Sequence, residues 1–394
     1  MQLQPYKTTV VEQATDVDAA AWREICEFAN NPFLDLRFLK AVESSFAAEA
    51  RFWYATFHDD GGRAVACACF SQYLVDGALM APPAFQGLVG AVRRAWPGFF
   101  KYKILLCGVP VSTCGNQLGV LPEADSGRLV AALDALAHDL ARQSGCGLIS
   151  FKEFPPTEAE RIASLTARGF LPARSVVAYH LPGEFGSFEG YVASRSKRTR
   201  ANIRRHFRKF EEGGLTCEQL RGGDDVERLF TDDVHHLYLN VLNRAHVKFE
   251  RIPADFFRQV ARQLPDESRF TFIRENDRIV AFCCGVESRG AHTMLFCGLD
   301  YSLNARTDLY FNTIYRGLAA GLARGVGIVN IGASADEFKQ HMGCVGEPLS
   351  IFVKAVGTIR QFLFKQVFGL LFDTSPAPSV ARPVEIPAER RKAA

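Results

Sequence analysis

The sequence contains no unbroken apolar run of about 18 residues, close to the length that a helix needs to cross a bilayer. Its first twenty residues are polar and acidic, whereas a secretory signal peptide needs a basic start followed by an apolar stretch. The lack of both features predicts a cytoplasmic protein.

The chain also lacks the motifs of several common enzyme classes and metal sites. No GxSxG nucleophile elbow and no GxxxxGK[ST] phosphate loop occurs. The eleven cysteines include no CxxC pair with metal-ligand spacing, and most of them lie in apolar, strand-like runs. We therefore expect no metal site and interpret most cysteines as small core residues.

There is little net charge, but the positive charge is concentrated in one segment. The 46 Lys and Arg nearly balance the 43 Asp and Glu, for a net charge of +3. Eight of the cations, and no acid, lie between Arg195 and Lys209. A block of this size is typical of an interaction surface.

Two patterns each occur twice along the chain, in the same order. Arg51–Phe70 and Arg269–Val286 each have the pattern of an apolar strand, a polar turn and a second strand of small apolar residues. Leu133–Phe151 and Ile314–Gly332 each predict a helix that ends at a glycine, followed by a buried strand. A chain of 394 residues is long enough for two or three domains. The repetition predicts a duplicated α/β unit with a mixed sheet, with the boundary near Pro182–Glu184.

The basic segment predicts an amphipathic helix. Ile203, Phe207 and Phe210 share one stripe at helical spacing and are expected to dock the helix. The cations on the remaining surface repel one another, so they need acidic partners or a polyanionic ligand. The candidate internal partners are Glu211, Glu212, Asp224, Asp225 and Glu227, and the predicted phosphate-binding residues are Arg198, Arg204, Arg205 and Arg208.

The order of several motifs resembles the FemAB-type and CelD-type branch of the GNAT acyltransferase superfamily. The resemblance covers roughly residues 10–355 and is carried by "NPFLDLRFLKAVE", "SRSKRTRANIRRHFRKF", "HVKFERIPADFF", "FCGLDYSLNARTDLYFNTIYRGLAAGLARGVGIVNIGAS" and "DEFKQHMGC". It implies an N-terminal GNAT-like domain over residues 1–185 and a C-terminal GNAT-like acyltransferase domain over residues 186–372. The Pro- and Ala-rich residues 373–394 predict a disordered tail.

The resemblance also implies a reaction, namely transfer of an acyl or aminoacyl group to an amine. The donor would be an acyl-CoA or an aminoacyl-tRNA, and the acceptor an amine-bearing small molecule, such as a cell-envelope or natural-product precursor. GNAT enzymes hold the CoA pyrophosphate on a glycine-containing turn at a helix N-terminus. The corresponding "SLNARTDLYF" has no glycine and places Asp308 near the anion position, which favours the FemAB-type branch. The alternative is a catalytically degenerate module that binds a phosphorylated ligand or an anionic membrane.

Three pairs of residues are candidates for the site. Asp300 and Tyr301 end the predicted central strand, where open sheets place ligands, although a strand-end Asp is also a common turn cap. His246 and Glu250 could form an acid–base pair if their segment is helical, but its composition favours a loop. Glu337 and Lys339 match the family's terminal motif and could bind substrate or form a surface salt bridge.

The apolar segment at residues 351–372 carries three spaced cations. It predicts a strand followed by a core helix. A basic amphipathic helix that lies on an anionic membrane is the alternative.

Overall fold

The structure is a computed structural model that describes residues 4–77, 83–245, 250–333 and 336–374. Within these residues, thirteen strands form one mixed sheet: β1 (Lys7–Val11), β2 (Ala50–His58), β3 (Ala64–Asp76), β4 (Lys101–Cys107), β5 (Leu118–Val120), β6 (Leu148–Phe154), β7 (Leu171–Pro182), β8 (Leu215–Arg221), β9 (Ser268–Glu275), β10 (Arg278–Ser288), β11 (Ala291–Leu299), β12 (Ile328–Gly332) and β13 (Val345–Ala355).

The helices pack on the two faces and at the ends of this sheet. They are α1 (Ala19–Ala29), α2 (Leu36–Ser45), α3 (Pro83–Arg93), α4 (Ser126–Ser144), α5 (Pro156–Arg161), α6 (Phe188–Ser194), α7 (Lys197–Glu212), α8 (Asp224–Leu229), α9 (Asp232–Arg244), α10 (Ala254–Gln263), α11 (Asn304–Thr307), α12 (Leu309–Leu322), α13 (Asp336–His341) and α14 (Thr358–Leu371).

The strand order of the sheet is β1-β2-β3-β4-β6-β13-β7-β12-β11-β10-β9-β8, with β5 beside β3. Both predicted hairpins are present, as β2–β3 and β9–β10. Their second strands, β3 and β10, are each third from an edge of the sheet. The two predicted hairpins therefore occupy equivalent places in the sheet, as a duplicated unit requires.

The two halves of the sheet exchange their last strands. β7 follows β6 in the chain but pairs with β12 and β13. In return, β13 from the end of the chain pairs with β6 and β7. Each half thus contributes one strand to the other, and the predicted division at residue 185 stays a prediction.

Both predicted joints of helix, glycine and strand are present. Helix α4 ends at Gly145, whose φ of +68° is in the left-handed region that glycine favours, and β6 follows. Helix α12 ends at Leu322, a turn before Gly325 with φ +66°, and β12 follows. The core is apolar on both faces of the sheet, and seven of the eleven cysteines are buried in it.

Parallel pairing occurs at two equivalent places, β4–β6 and β11–β12, and the second of them leaves an opening in the sheet. β11 and β12 are paired only from Ala291 to Thr293 and from Ile328 to Asn330. β12 then ends at Gly332, whereas β11 continues to Leu299. The exchanged strands run alongside this opening, so residues of both halves meet there.

The interpretation of residues 351–372 as a strand and a core helix is half wrong. The strand is present as β13, but α14 buries only Phe368. Leu370 is 86% exposed and Phe362 is 63% exposed. An apolar composition predicted burial, but the sheet offers α14 only a narrow strip of contact around Ala173 and Val353. Of the predicted tail, only residues 373–374 lie within the described residues.

Candidate active site

A cavity of about 410 Å³ lies where the two halves share the sheet. Its walls come from β7, β11 and β12 and from two loops of the first half, around Asn31 and Cys114. The side-chain amide of Asn31 donates to the carbonyl of Asn116 at 2.7 Å, which ties these loops together. The cavity is therefore enclosed by residues from both halves of the chain.

Two carboxylates are held by successive residues of the cavity-lining loop. The Ser112 amide donates to Glu250 Oε1 at 2.9 Å, and the Ser112 hydroxyl donates to Glu153 Oε1 at 2.6 Å. The Thr113 amide donates to Glu153 Oε2 at 3.1 Å. Thr113 itself lines the cavity. Glu153 and Glu250 do not line the cavity themselves, but both are bound to the loop that does, although they are far apart in sequence.

Glu153 is fixed in an uncommon conformation at the end of β6. Its φ is +61°, a region that non-glycine residues seldom occupy unless the surrounding structure enforces it. The ammonium group of Lys152 lies 3.4 Å from its carboxylate and donates to the carbonyls of Val109 and Val111. These contacts hold a negative and a positive charge side by side at the strand end.

The carboxyl group of Glu250 titrates near neutral pH. Burial raises its pKa from the ordinary value of 4.5 to about 7, and the charge of Glu153 acts in the same direction. The charge of Lys152 and the Ser112 amide oppose this rise without cancelling it. A carboxyl group with a pKa close to the working pH suits a general base.

Lys339 lies against the end of β12 and is only 4% exposed. Its ammonium group donates to the carbonyls of Gly332 and Ala333, at 2.9 and 2.6 Å. It also lies 5.5 Å from the ring centre of Tyr179, which lines the cavity. Lys339 therefore fixes the end of β12 and places a positive charge at the opening between β11 and β12.

Cys114 lines the cavity between these two groups. Burial raises the pKa of its thiol to about 12, and the charge of Glu153 adds to this rise, while Lys339 and the Ala333 amide oppose it. The thiol is therefore protonated at neutral pH. Because the thiolate is the reactive form, Cys114 is poorly suited to form a covalent acyl intermediate.

The structure separates the remaining residues of the predicted pairs. Glu337 is exposed, whereas Lys339 points into the protein, so the two form no salt bridge with each other. His246 lies outside the described residues. Glu250 lies in a loop, not in a helix.

Asp300 and Tyr301 follow the end of β11, as predicted, but neither residue lines the cavity. The Asp300 carboxylate accepts from the amide and the hydroxyl of Ser302, and Arg278 donates to it at 2.9 Å. The guanidinium of Arg244 lies 3.8 Å from the ring centre of Tyr301. These contacts are those of a turn cap and a cation–π pair, so the catalytic roles of both residues stay predictions.

The basic segment forms α7 and docks as expected, through Ile203 and Phe210. The buried His206 was not predicted as part of the docking stripe. Among the predicted acidic partners, only Glu212 contacts the basic helix, 3.7 Å from Arg208. The side chains of Arg198, Arg204 and Arg205 are exposed and form no ion pair or hydrogen bond with the described residues. Intramolecular acids therefore leave most of this face uncompensated.

An open groove of about 600 Å³ runs beside this helix, between α6 and α7. Phe188 and Phe207 form part of its floor, with their ring centres 5.6 Å apart. Arg200 and Arg204 lie along it. Aromatic rings beside cations are the groups that proteins use to hold single-stranded nucleic acid.

The N-terminus of α12, where a GNAT enzyme would hold pyrophosphate, is occupied by Asp308. Its carboxylate accepts from His206 Nδ1 at 2.7 Å and from Lys209 Nζ at 3.1 Å. Burial alone would raise the pKa of Asp308, but the hydrogen bonds and charges of His206 and Lys209 bring it below its ordinary value. In the first half, Asp125 caps α4 in the corresponding place. Both helix starts therefore already carry a carboxylate.

The model of the FemAB-like family, described as peptidoglycan biosynthesis/recognition, matches residues 13–353 of the 394-residue chain. The chain belongs to the FemAB-like family. This confirms the predicted relationship. A search of curated protein sequences gave no significant match.

Solved structures share the fold of this FemAB-like protein. The structure of FemX is 11% identical, with a TM-score of 0.55, and the match covers 91% of this chain and 99% of FemX. The structure of L-PGS from Bacillus licheniformis is 14% identical, with a TM-score of 0.51, and the match covers 92% of this chain and 98% of that one. At these identities the likeness concerns the fold alone, and it confirms the predicted mixed α/β class.

Sequence reasoning missed Ser112, Lys152 and Glu153. A signal was present, since the buried strand "LISFKEF" carries the charged pair Lys152 and Glu153 close to its end, as β11 is followed by Asp300. The partners of Glu153 and Glu250 are 41 and 138 residues away in the chain. No local pattern reveals such contacts.

Within the described residues, no group of three or more His, Cys, Asp or Glu side chains could hold a metal ion.

Proposed function

We propose that this FemAB-like protein is an aminoacyltransferase, which moves an aminoacyl group from aminoacyl-tRNA to the amine of a cell-envelope precursor. The amine nitrogen attacks the ester carbonyl, so a C–N bond forms and the C–O bond to the tRNA ribose breaks. The proton that leaves the amine passes to a base and then to the ribose oxygen. No oxidant and no covalent enzyme intermediate is needed.

The observation that carries the proposal is the carboxylate cluster bound to the cavity-lining loop. Glu250, with a pKa of about 7, is the proposed base, because it is largely ionised just above neutral pH and can still release a proton. Glu153 and Lys152 would position it through Ser112. Lys339 would place a positive charge near the acyl oxygen as that oxygen becomes negative.

The choice of tRNA as donor rests on two features. First, Asp308 and Asp125 put negative charge at the two helix starts that would otherwise attract a pyrophosphate. Second, the uncompensated cations of α7 and the aromatic groove beside it suit a long polyanion that has unpaired bases at one end. A CoA molecule has too few phosphates to pair with all the exposed cations of α7.

The choice of an envelope precursor rests on the family description. The cavity carries amide, hydroxyl and imidazole groups at Asn31, Thr113, His180, Thr293 and Asn330. Such groups suit a polar acceptor, which agrees with a sugar–peptide precursor. A natural-product amine of similar polarity would use the same contacts.

The test is a label-transfer assay with purified protein. Aminoacyl-tRNA or acyl-CoA, each labelled in the acyl group, is offered together with amine-bearing peptidoglycan precursors. We expect transfer from aminoacyl-tRNA only, with at least about a hundredfold loss for Glu250→Gln, as is usual when a general base is removed. Transfer from acyl-CoA alone would refute the choice of donor.

The alternative function is a catalytically inactive module that binds a phosphorylated ligand or an anionic surface. The exposed cations of α7 are compatible with it. It predicts that aminoacyl-tRNA is bound but keeps its aminoacyl group with every amine offered. Binding without transfer would therefore favour this alternative over the enzyme.

A further inference from the structure

Helix α14 presents apolar side chains to solvent on most of its surface. It is attached to the sheet through Phe368, with Phe364 and Phe372 beside it. The remaining large apolar residues are exposed, namely Ile359, Phe362, Leu363, Val367, Leu370 and Leu371. Contiguous apolar surface of this kind marks a contact site.

A second exposed apolar region begins at the same end of the sheet. Helix α3 and the turn after it expose Leu88 and Trp96, and the turn leads directly into β4. Backbone hydrogen bonds join this place to the start of α14. The Gly147 amide donates to the carbonyl of Lys103, and the Val356 amide donates to the carbonyl of Gly147. The two apolar regions are thus parts of one end of the molecule.

The charged side chains of the sequence segments that form these regions are all positive, and Asp76, just before the first segment, is paired with Arg93 of α3. The sequence has no acidic residue between Gly77 and Pro122, and none between Pro348 and Phe372. Arg94, Arg360 and Lys365 are exposed among the apolar side chains. Apolar residues interspersed with cations are the pattern of a segment that lies on an anionic membrane.

We propose that the surface formed by α3, Trp96 and α14 binds an anionic lipid membrane. Charge argues against a second copy of this chain, because two such faces would bring like charges together. Residues 375–394 contain only Val380, Val384 and Ile386 as large apolar side chains, so that segment is too poor in apolar residues to cover this area. No helix in the described part of the chain is long and apolar enough to cross a bilayer, so the contact is peripheral.

The test is flotation of the full-length protein with vesicles of phosphatidylcholine, with and without 30% phosphatidylglycerol as an example of about one-third anionic lipid. The wild type should float with the anionic vesicles. Phe362→Ser combined with Leu370→Ser should raise the lipid concentration for half-maximal binding about a hundredfold, because each side chain contributes about tenfold or more. Arg360→Gln with Lys365→Gln should cost about fivefold per charge.

Two control variants make the result specific. Val10→Ser changes an exposed apolar residue of the edge strand β1 and should bind like the wild type. Arg204→Gln with Arg205→Gln should also keep vesicle binding, since those residues lie on α7 and not on the proposed surface.

Four results would overturn the proposal. These are no flotation with either vesicle, flotation that survives the Phe362 and Leu370 changes, flotation lost with the α7 variant, or lipid-free self-association that the Phe362 and Leu370 changes abolish. The last result would assign the surface to a second copy. The melting temperature should be unchanged in the α14 variant, because both altered side chains are exposed.

Discussion

The raised pKa of Glu250 has a consequence for folding stability that can be measured without a substrate. In the unfolded chain this carboxyl group ionises near its ordinary pKa of 4.5, whereas in the folded protein it ionises near 7. Between these values the unfolded state loses its proton first, so folding stability decreases as the pH rises. The difference between these two pKa values corresponds to at most about 3 kcal/mol of folding stability.

Glu250→Gln should remove this decrease in folding stability with rising pH. The amide oxygen can still accept from the Ser112 amide, and the side chain keeps its shape. We expect the variant and the wild type to be about equally stable near pH 4.5. The variant should become more stable by up to about 3 kcal/mol as the pH rises to 8, with the change concentrated between 4.5 and 7.

Urea denaturation at pH 4.5, 5.5, 6.5, 7.5 and 8 measures this difference directly, provided that unfolding is two-state. Glu160→Gln is a matched control, since the Glu160 side chain is exposed on α5 and forms no ion pair or hydrogen bond with the described residues. If the difference in stability between Glu250→Gln and the wild type does not change with pH, the raised pKa of Glu250 is refuted. That result would also remove the argument that Glu250 is a base.

Three further variants test contacts on α7, at the start of α12 and after β11. Arg204→Gln with Arg205→Gln should reduce the log-log salt slope of tRNA binding by about 0.7 to 0.9 per lost phosphate contact, with an equal or higher melting temperature; an unchanged slope would contradict the role of this face. Asp308→Asn should cost about 2 kcal/mol at pH 7, because His206 and Lys209 lose the carboxylate that accepts a hydrogen bond from each of them. Since the pKa of Asp308 is lowered by folding, this cost should disappear as the pH falls below about 4, and denaturation curves that show a constant cost would contradict the pairing. Asp300→Asn should cost about 1 kcal/mol and leave transfer unchanged if the residue is only a cap, whereas a large fall in rate at full stability would support the catalytic role predicted from the sequence.

The sequence predicted the parts of the fold that depend on local pattern. Strand alternation revealed the β2–β3 and β9–β10 hairpins, and glycine at the helix ends revealed the joints after α4 and α12. The exchange of β7 and β13 was not predicted, because the choice of partner for a buried apolar strand depends on distant residues. The exposed α14 was mispredicted for a related reason. Composition indicates what a helix could bury, but not whether a surface is available for it.

The site was predicted only in part. Glu250 was identified as a candidate, though for a helical pairing with His246 that does not apply in a loop. Lys339 was identified from its motif, and its burial against the end of β12 gives that choice a physical reason. Glu153 and Lys152 were missed, since their significance arises from contact with the loop at Ser112.

The central claim is that Glu250 takes the proton during aminoacyl transfer. The most direct measurement is the single-turnover rate of transfer from aminoacyl-tRNA between pH 5.5 and 8.5, for the wild type and for Glu250→Gln. We predict that the wild-type rate rises with pH through an apparent pKa near 7, and that the variant is slower and lacks this step. The same rate and the same pH profile in both proteins would contradict the claim.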